Sequence, residues 1–169
     1  MEQAVTLEEI SKLPDALRSK GNYVCYCLRS DAAKPRTYFG SSNDLVHRIR
    51  QHNGIIKGGA SATKTSRPWR IAAVVYGFSD RSAALRYEWF CKMAHSRQRY
   101  DEAMESGSNS IQRRAALMAR SAEMCASENL KYYYGDSYLQ ECCAEAFAKW
   151  PFVKPAIQKK ITEYCVAVK

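Results

Sequence analysis

The sequence predicts a mixed α/β (α+β) fold, in which a small sheet packs against helices and a helical region follows. Three short segments rich in β-branched and aromatic residues lie in the first eighty residues, and helical periodicity separates and follows them. A chain of 169 residues is long enough for one good hydrophobic core with a small appendage. We expect an amino-terminal helical segment at 1–19, an α/β domain at 20–100 and a carboxyl-terminal helical region at 101–169.

An amino-terminal helix is predicted over residues 6–18. Thr6 to Glu9 has the Thr-x-x-Glu form of a capping box, and the leucine and isoleucine residues of this segment recur at helical spacing. Pro14 lies inside the pattern and is expected to split the helix.

The first two strands are predicted at residues 23–28 and 37–40, each beside a glycine–tyrosine block. The polar loop between them is short, so we expect an antiparallel pair. Such a pair can bring Tyr23 and Tyr38 near each other across the sheet, and the sequence leaves the register open.

A helix is predicted over about residues 44–53, ending at Gly54. Arg48 and His52 are four residues apart, so they share one face of it. Residues 55–68 form a basic loop rich in glycine, serine and threonine. This loop is either a phosphate-binding surface or a flexible connector.

Residues 69–78 form a third strand, whose near-continuous apolar run predicts burial on both faces. The helix after it begins at Ser79 or Ser82 and carries Glu88 among aromatic and apolar neighbours. A carboxylate in that setting faces either solvent or a functional site.

The last seventy residues predict a linker at 101–109 and helices near 110–128, 136–149 and 155–167. The tyrosines at 132–134 lie between the first two of these helices. They can either stack on nucleic-acid bases or pack in the protein.

Positive charge is concentrated around the two tyrosine blocks. The chain has a net charge of +9, and residues 21–99 hold 14 basic and 4 acidic side chains. Such a segment suits a polyanion such as nucleic acid, through counterion release. The seven cysteines lack disulfide and zinc-site spacing, and no apolar run is long enough to cross a membrane. We therefore predict an intracellular protein without a membrane partner.

Five blocks in the first hundred residues carry a family resemblance: Gly21–Leu28, Thr37–Gly40, Arg48–Gly54, Lys57–Ala60 with Pro68-Trp69, and Ala83–Trp89. In this order and spacing they resemble the GIY-YIG nuclease domain, and within that superfamily the Slx1 structure-selective endonucleases. The middle residues of the two signature tripeptides differ, as Asn22 and Phe39, whereas the tyrosines and glycines are kept. The carboxyl-terminal region lacks the Cys/His pattern of the RING-like zinc domain of Slx1 proteins.

The resemblance implies a nuclease domain over residues 20–100, built on a three-stranded antiparallel sheet flanked by helices. It also implies a hydrolysis that uses one Mg²⁺ or Mn²⁺ ion, held by Glu88. Arg48 is expected to clamp the scissile phosphate and to oppose the charge that grows there in the transition state.

Of the two signature tyrosines, Tyr23 is our first choice to accept the proton of the attacking water, with Tyr38 orienting that water. This role needs a cationic surround that lowers the tyrosine pKa, which Arg48, His52 and the metal can provide; His52 can instead bond to a tyrosine or a phosphate. Six cations of the basic segment are predicted DNA contacts: Arg36, Arg50, Lys57, Lys64, Arg67 and Arg70.

The function that the resemblance implies is cleavage of branched DNA, such as flaps, forks or Holliday junctions, in DNA repair and recombination. A sequence-specific homing or restriction-type nuclease and a non-catalytic DNA-binding module of the same fold are the alternatives. The carboxyl-terminal helices are a candidate surface for a protein scaffold or for self-association. We expect the protein in the nucleus or another DNA-containing compartment, with a viral or organellar origin left open.

Overall fold

The structure is a computed structural model that describes residues 1–33, 36–92, 110–125 and 129–149. Its helices and strands, in chain order, are α1 (Glu2–Lys12), α2 (Asp15–Arg18), β1 (Val24–Ser30), β2 (Thr37–Ser42), α3 (Leu45–His52), a 3₁₀ turn (Ser61–Thr63), β3 (Trp69–Tyr76), α4 (Arg81–Lys92), α5 (Ser110–Met124), β4 (Lys131–Tyr134) and α6 (Ser137–Lys149).

The strands form one antiparallel sheet in the order β2-β1-β3-β4. This confirms the predicted α/β (α+β) class and the antiparallel pairing of the first two strands. The sheet has a fourth strand, β4, which comes from the carboxyl-terminal region and pairs with β3. The sequence did not predict β4, because a strand of four residues is too short to show a clear periodicity and its pairing partner is distant in the chain.

The register of the first pair separates the two signature tyrosines. Tyr26 lies opposite Gly40, and Tyr38 lies opposite Leu28. Tyr23 precedes the first residue of β1. Tyr23 and Tyr38 are therefore near opposite ends of the pair and are not cross-strand neighbours.

Helices cover both faces of the sheet, because side chains alternate along β1 and both sets are buried. Cys25 and Cys27 point into a core shared with α4, α5 and α6. Tyr26 and Leu28 point into a second core, which contains residues of the amino-terminal segment and of α3, among them Leu13, Leu17, Leu45 and Ile49.

The amino-terminal helix begins earlier than predicted. Helix α1 starts at Glu2, so Thr6 lies within it and its hydroxyl donates to the Glu2 carbonyl oxygen at 2.6 Å instead of capping the helix. Pro14 splits the segment as expected and precedes α2. Glu9 is buried and accepts a hydrogen bond from the Ile71 backbone N–H at 2.7 Å, which fastens α1 to β3.

The carboxyl-terminal helices α5 and α6 match the first two predicted there, whereas the predicted linker at 101–109 and helix at 155–167 lie outside the described residues. The tyrosines at 132–134 form β4. Tyr132 is buried, and its ring stacks on that of Tyr134 with centroids 6.2 Å apart, so this pair packs within the protein. None of the helices in the described ranges is long and apolar enough to cross a membrane.

Candidate active site

The phenol of Tyr26 is held at the centre of the sheet against Gly40, its cross-strand partner. A Cβ atom on Gly40 would lie 2.6 Å from Cζ of Tyr26 and 3.0 Å from its Cε2. The second block therefore requires glycine at this position because the Tyr26 ring fills the space of a side chain.

The Tyr26 hydroxyl joins two residues of α3. It is 2.9 Å from Nε2 of His52, and it accepts a hydrogen bond from Nε of Arg48 at 3.2 Å. Arg48 and His52 share a face of α3, as their spacing predicts, and that face is turned towards β1. A phenol, a guanidinium and an imidazole are thus joined in one hydrogen-bonded cluster.

Thr63 decides the direction of the hydrogen bond between Tyr26 and His52. Its hydroxyl lies 2.9 Å from Nδ1 of His52 and donates its single proton to the Ala60 carbonyl oxygen at 2.8 Å. The Thr63 oxygen therefore accepts from Nδ1–H, which leaves Nε2 unprotonated. Tyr26 then donates its O–H to Nε2 and uses a lone pair for Arg48.

Burial and charge favour the neutral forms of both partners. Burial, with the nearby cations Arg48, Arg67 and Lys92, lowers the pKa of His52 to about 4. Burial raises the pKa of Tyr26 and outweighs the opposing effect of the Arg48 guanidinium. At neutral pH the cluster therefore holds a neutral phenol, a neutral imidazole and one positive charge, on Arg48.

Arg48 is braced by Gln51 beside an open groove of about 610 Å³. Its Nη1 donates to Oε1 of Gln51 at 2.8 Å, and the Gln51 amide donates to the Lys57 carbonyl oxygen at 3.3 Å. The groove is lined by Arg48 together with Lys20, Tyr23, Ser41, His47 and Arg81, among others. Several cations thus surround a space that is open to solvent, which suits a phosphate.

The carboxylate of Glu88 reaches the same region from α4. Its Oε2 accepts a hydrogen bond from the Ser41 hydroxyl, and its Oε1 accepts one from the ammonium of Lys92. The Glu88 side chain is only 14% exposed. Lys92 also lies over the Tyr38 ring, 5.3 Å from its centroid, and that ring is 5.1 Å from the ring of His52. Tyr38 therefore links the Glu88 half of the site to the His52 half.

The donors around Glu88 fit a hard divalent cation such as Mg²⁺ or Mn²⁺. The carboxylate and the Ser41 hydroxyl are oxygen donors, which these ions prefer. Within the described parts of the chain, no group of three or more histidine, cysteine, aspartate or glutamate residues is placed to hold a metal. A cation on Glu88 would thus take its other ligands from water and substrate oxygens, as Mg²⁺ commonly does.

The structure brings together four of the five predicted catalytic residues: Tyr38, Arg48, His52 and Glu88. It places Tyr26, rather than Tyr23, at the hydroxyl position between Arg48 and His52, while Tyr23 lines the groove. Our choice of Tyr23 stays a prediction, and Tyr26 is a second candidate that the sequence reasoning missed. The useful signal was the register, because Tyr26 is the tyrosine opposite the glycine of the second block.

The predicted DNA contacts fall into two groups. Arg50, Lys57 and Lys64 are exposed on α3 and the loop that follows it. Gly58 and Gly59 bring this loop close to α3, because a Cβ on Gly59 would lie 2.9 Å from the Gln51 carbonyl oxygen. Both glycines have positive φ, 116° and 89° respectively, a conformation that other residues rarely adopt.

The other three cations have internal partners or a distant location. Arg70 bonds to Asp31 at 2.6 Å and also contacts Glu8 and Glu9, so its charge is largely neutralised. Nε of Arg67 donates to the His52 carbonyl oxygen at 2.8 Å. Arg36 is exposed at the hairpin end of the first strand pair, roughly 16 Å along β2 from Ser41 at ~3.3 Å per residue. These locations argue against phosphate contact by Arg70 above all.

Part of this chain is similar to known proteins. Residues 22–101 match the GIY-YIG catalytic domain. The chain is 50% identical over 74 residues to the structure-specific endonuclease subunit SLX1 of Malassezia globosa, covering 44% of this chain and 17% of that protein. It is 45% identical over 96 residues to the slx1 subunit of Schizosaccharomyces japonicus, covering 56% and 35%. For the SLX1 homolog of Cryptosporidium parvum, the identity is 51% over 67 residues, covering 40% and 16%. The matched part thus spans about a third or less of each relative.

Proposed function

Because this chain contains a GIY-YIG domain similar to those of Slx1 proteins, we propose that it is a metal-dependent endonuclease that hydrolyses phosphodiester bonds in branched DNA. The observation that carries the proposal is that two halves of the site adjoin one cationic groove. Arg48, which bonds to the buried Tyr26–His52 pair, lines this groove, and so does Ser41, which bonds to Glu88. The residues of this cluster supply a phosphate clamp, a proton acceptor and a carboxylate for a divalent cation.

Arg48 binds the scissile phosphate. Gln51 and the Tyr26 oxygen use two of its N–H groups, and Tyr38 also bonds to its side chain. A guanidinium has five N–H donors, so the others can form charge-assisted bonds with phosphate oxygens. The guanidinium is fixed before substrate arrives, so it opposes the charge that grows on those oxygens without reorganising. The Lys57 carbonyl oxygen is bonded to Gln51, and we expect its exposed ammonium to contact the phosphates next to the scissile one.

Tyr26 and His52 together accept the proton of the attacking water. The Tyr26 oxygen takes that proton while its own O–H proton moves to Nε2 of His52. Tyr26 therefore stays a neutral phenol, and His52 carries the transferred proton as an imidazolium. The water oxygen forms a bond to phosphorus, and the bond from phosphorus to the leaving sugar oxygen breaks. Thr63 keeps Nε2 unprotonated and ready for this transfer, because its oxygen holds the proton of His52 on Nδ1.

Glu88 is the residue that would hold Mg²⁺ or Mn²⁺, with Ser41 orienting its carboxylate. When bound, such an ion stabilises negative charge on the phosphate and on the leaving oxygen. The Tyr38 ring contacts both the His52 ring and the ammonium of Lys92. From this position between the two halves of the site, we expect its hydroxyl to orient the water.

The preference for branched DNA rests on the relatives, which are named structure-specific endonuclease subunits. We extend to this chain a role in DNA repair and recombination, and a location in a compartment that contains DNA. The word subunit also suggests a protein partner. The surface of α5 and α6, or the part of the chain beyond them, is where we would look for the contact.

The test is cleavage of labelled flap, fork and four-way junctions compared with linear duplex of the same sequence, with Mg²⁺ or Mn²⁺. Wild type should cut near the branch and leave the linear duplex largely intact. Arg48→Ala and Glu88→Gln should each lower the single-turnover rate by at least about 100-fold. Tyr26→Phe should lower it by about 100-fold or more, whereas the matched variant Tyr23→Phe should lower it far less.

Two outcomes would count against the proposal. If the wild type cuts no faster than Glu88→Gln on any substrate, the chain is not this nuclease. If Tyr23→Phe is the inactive variant and Tyr26→Phe cuts normally, the assignment of the proton acceptor to Tyr26 fails while the nuclease activity stands.

A further inference from the structure

Lys92 occupies one of the two oxygens of the carboxylate that the proposed reaction needs. Its ammonium bonds to Oε1 of Glu88, one helical turn away on α4, and lies over the Tyr38 ring. Ser41 bonds to the other oxygen, Oε2. In this state both carboxylate oxygens are already used, one by a neutral hydroxyl and one by a positive charge.

These two partners differ in what they allow at Glu88. The Ser41 hydroxyl has lone pairs, so it can remain beside a bound cation and donate its proton as before. An ammonium has three donors and no lone pair, so it cannot be a ligand, and it repels a divalent ion at contact distance. Lys92 must therefore leave Oε1 before a divalent cation can use both oxygens.

The position of Lys92 makes that departure easy. Its side chain is 44% exposed, whereas that of Glu88 is 14% exposed. Lys92 also has a long flexible stem that can turn into solvent. The ammonium can thus exchange with a cation from solution while the carboxylate stays in place.

Resting on the proposed function, we propose that Lys92 is a built-in competitor of the divalent cation at Glu88, which sets the metal concentration that the site requires. In the absence of metal its ammonium neutralises the half-buried carboxylate and holds it beside Tyr38. On metal binding the ammonium moves away from Oε1 of Glu88. The divalent cation thus replaces the Lys92 ammonium as the positive partner of the carboxylate.

The test is Mn²⁺ binding to the full chain, measured without DNA from the electron paramagnetic resonance signal of free Mn²⁺. Lys92→Met should tighten binding about fivefold, the factor that corresponds to a partly exposed ion pair. Lys92→Arg keeps the competing charge and should bind Mn²⁺ within about twofold of wild type. Lys20→Met removes another cation that lines the groove and serves as the control for general charge; it should also change binding less than about twofold.

Glu88→Gln separates this proposal from the proposed function. If Glu88→Gln abolishes Mn²⁺ binding and Lys92→Met leaves it unchanged or weaker, the competitor role is overturned and the metal site stands. The competitor role is equally overturned if Lys20→Met tightens binding as much as Lys92→Met. If Glu88→Gln binds Mn²⁺ like wild type, both the metal site and the role of Lys92 fail. Thermal unfolding of each variant verifies that the loss of binding is not loss of fold.

Discussion

Replacing Gly40 by alanine should abolish most of the nuclease activity while the protein stays folded. A Cβ on residue 40 would lie 2.6 Å from Cζ of Tyr26, whereas ordinary contacts begin at about 3.4 Å. The Tyr26 ring would have to move by about 1 Å, since Gly40 is held in β2 opposite it. The hydroxyl bonds of Tyr26 to His52 and Arg48, at 2.9 Å and 3.2 Å, cannot both survive such a shift.

From this displacement we expect Gly40→Ala to lower the cleavage rate by about 100-fold, the loss typical of a 1 Å misplacement of a catalytic group. Overpacking of the buried strand pair should lower the free energy of unfolding by about 1–3 kcal/mol. For a domain of this size that is a decrease of roughly 2–12 °C in Tm. The variant should therefore remain folded at 25 °C and be nearly inactive.

The assay is single-turnover cleavage of a labelled branched DNA, normalised to the folded fraction from circular dichroism. Gly135→Ala is the control for a steric clash elsewhere. Gly135 follows β4, at the edge of the sheet opposite β2, and a Cβ there would collide with the Ile71 carbonyl oxygen of β3. This variant should lose stability and keep the wild-type rate per folded molecule. A folded Gly40→Ala protein that cuts at the wild-type rate would refute the argument that the Tyr26 hydroxyl must be held by His52 and Arg48.

Two further predictions concern pH and salt. The pKa of His52 is lowered from 6.5 in the unfolded chain to about 4 in the folded protein. Between these two pH values the unfolded chain binds more protons than the folded one. The free energy of unfolding should therefore fall as the pH drops from 6.5 to 4, by up to about 3 kcal/mol. Urea unfolding at pH 7 and pH 4.5 should show this loss of stability in wild type and in His47→Asn, which changes an exposed histidine. The loss should be clearly smaller in His52→Asn. Equal losses in all three proteins would contradict the prediction. For DNA binding, Lys57→Ala should reduce the slope of log K against log salt by about 1, whereas Arg70→Ala, with its acidic partners, should leave it nearly unchanged. A reduced slope in Arg70→Ala would show that its ion pairs open on DNA.

The sequence was informative where the physics is local. The spacing of Arg48 and His52 places them on one face of a helix, and the structure keeps both at the site. The spacing of Glu88 and Lys92 is the same, so this pair was equally visible, although only the structure shows that it adjoins Tyr38.

Features that depend on pairing between distant segments were out of reach of the sequence. The buried strand β1 is apolar on both faces, so its periodicity does not tell which tyrosine points towards α3. The choice between Tyr23 and Tyr26 depends on the register with Gly40, which no local pattern fixes. The role of Thr63 also could not be predicted, because it depends on a loop that folds back onto His52.

The site is divided between the two faces of the sheet, and the edge strand β2 joins the halves. Alternation along β2 points Tyr38 and Gly40 towards the face that carries His52, and Ser41 towards the face that carries Glu88. Among the described strands, β2 pairs with β1 alone, so both helices can reach its open side.

The position of Glu88 depends in turn on the carboxyl-terminal region. Neighbouring side chains of α4 are fixed to α5, since the Tyr87 hydroxyl donates to the Met118 carbonyl oxygen at 3.0 Å and the Cys91 thiol to the Ser121 hydroxyl at 3.2 Å. Helices α5 and α6 share one core with α4, and β4 extends the sheet beneath them. The carboxyl-terminal helices therefore act as a support that holds α4, and with it the carboxylate, against the edge of β2.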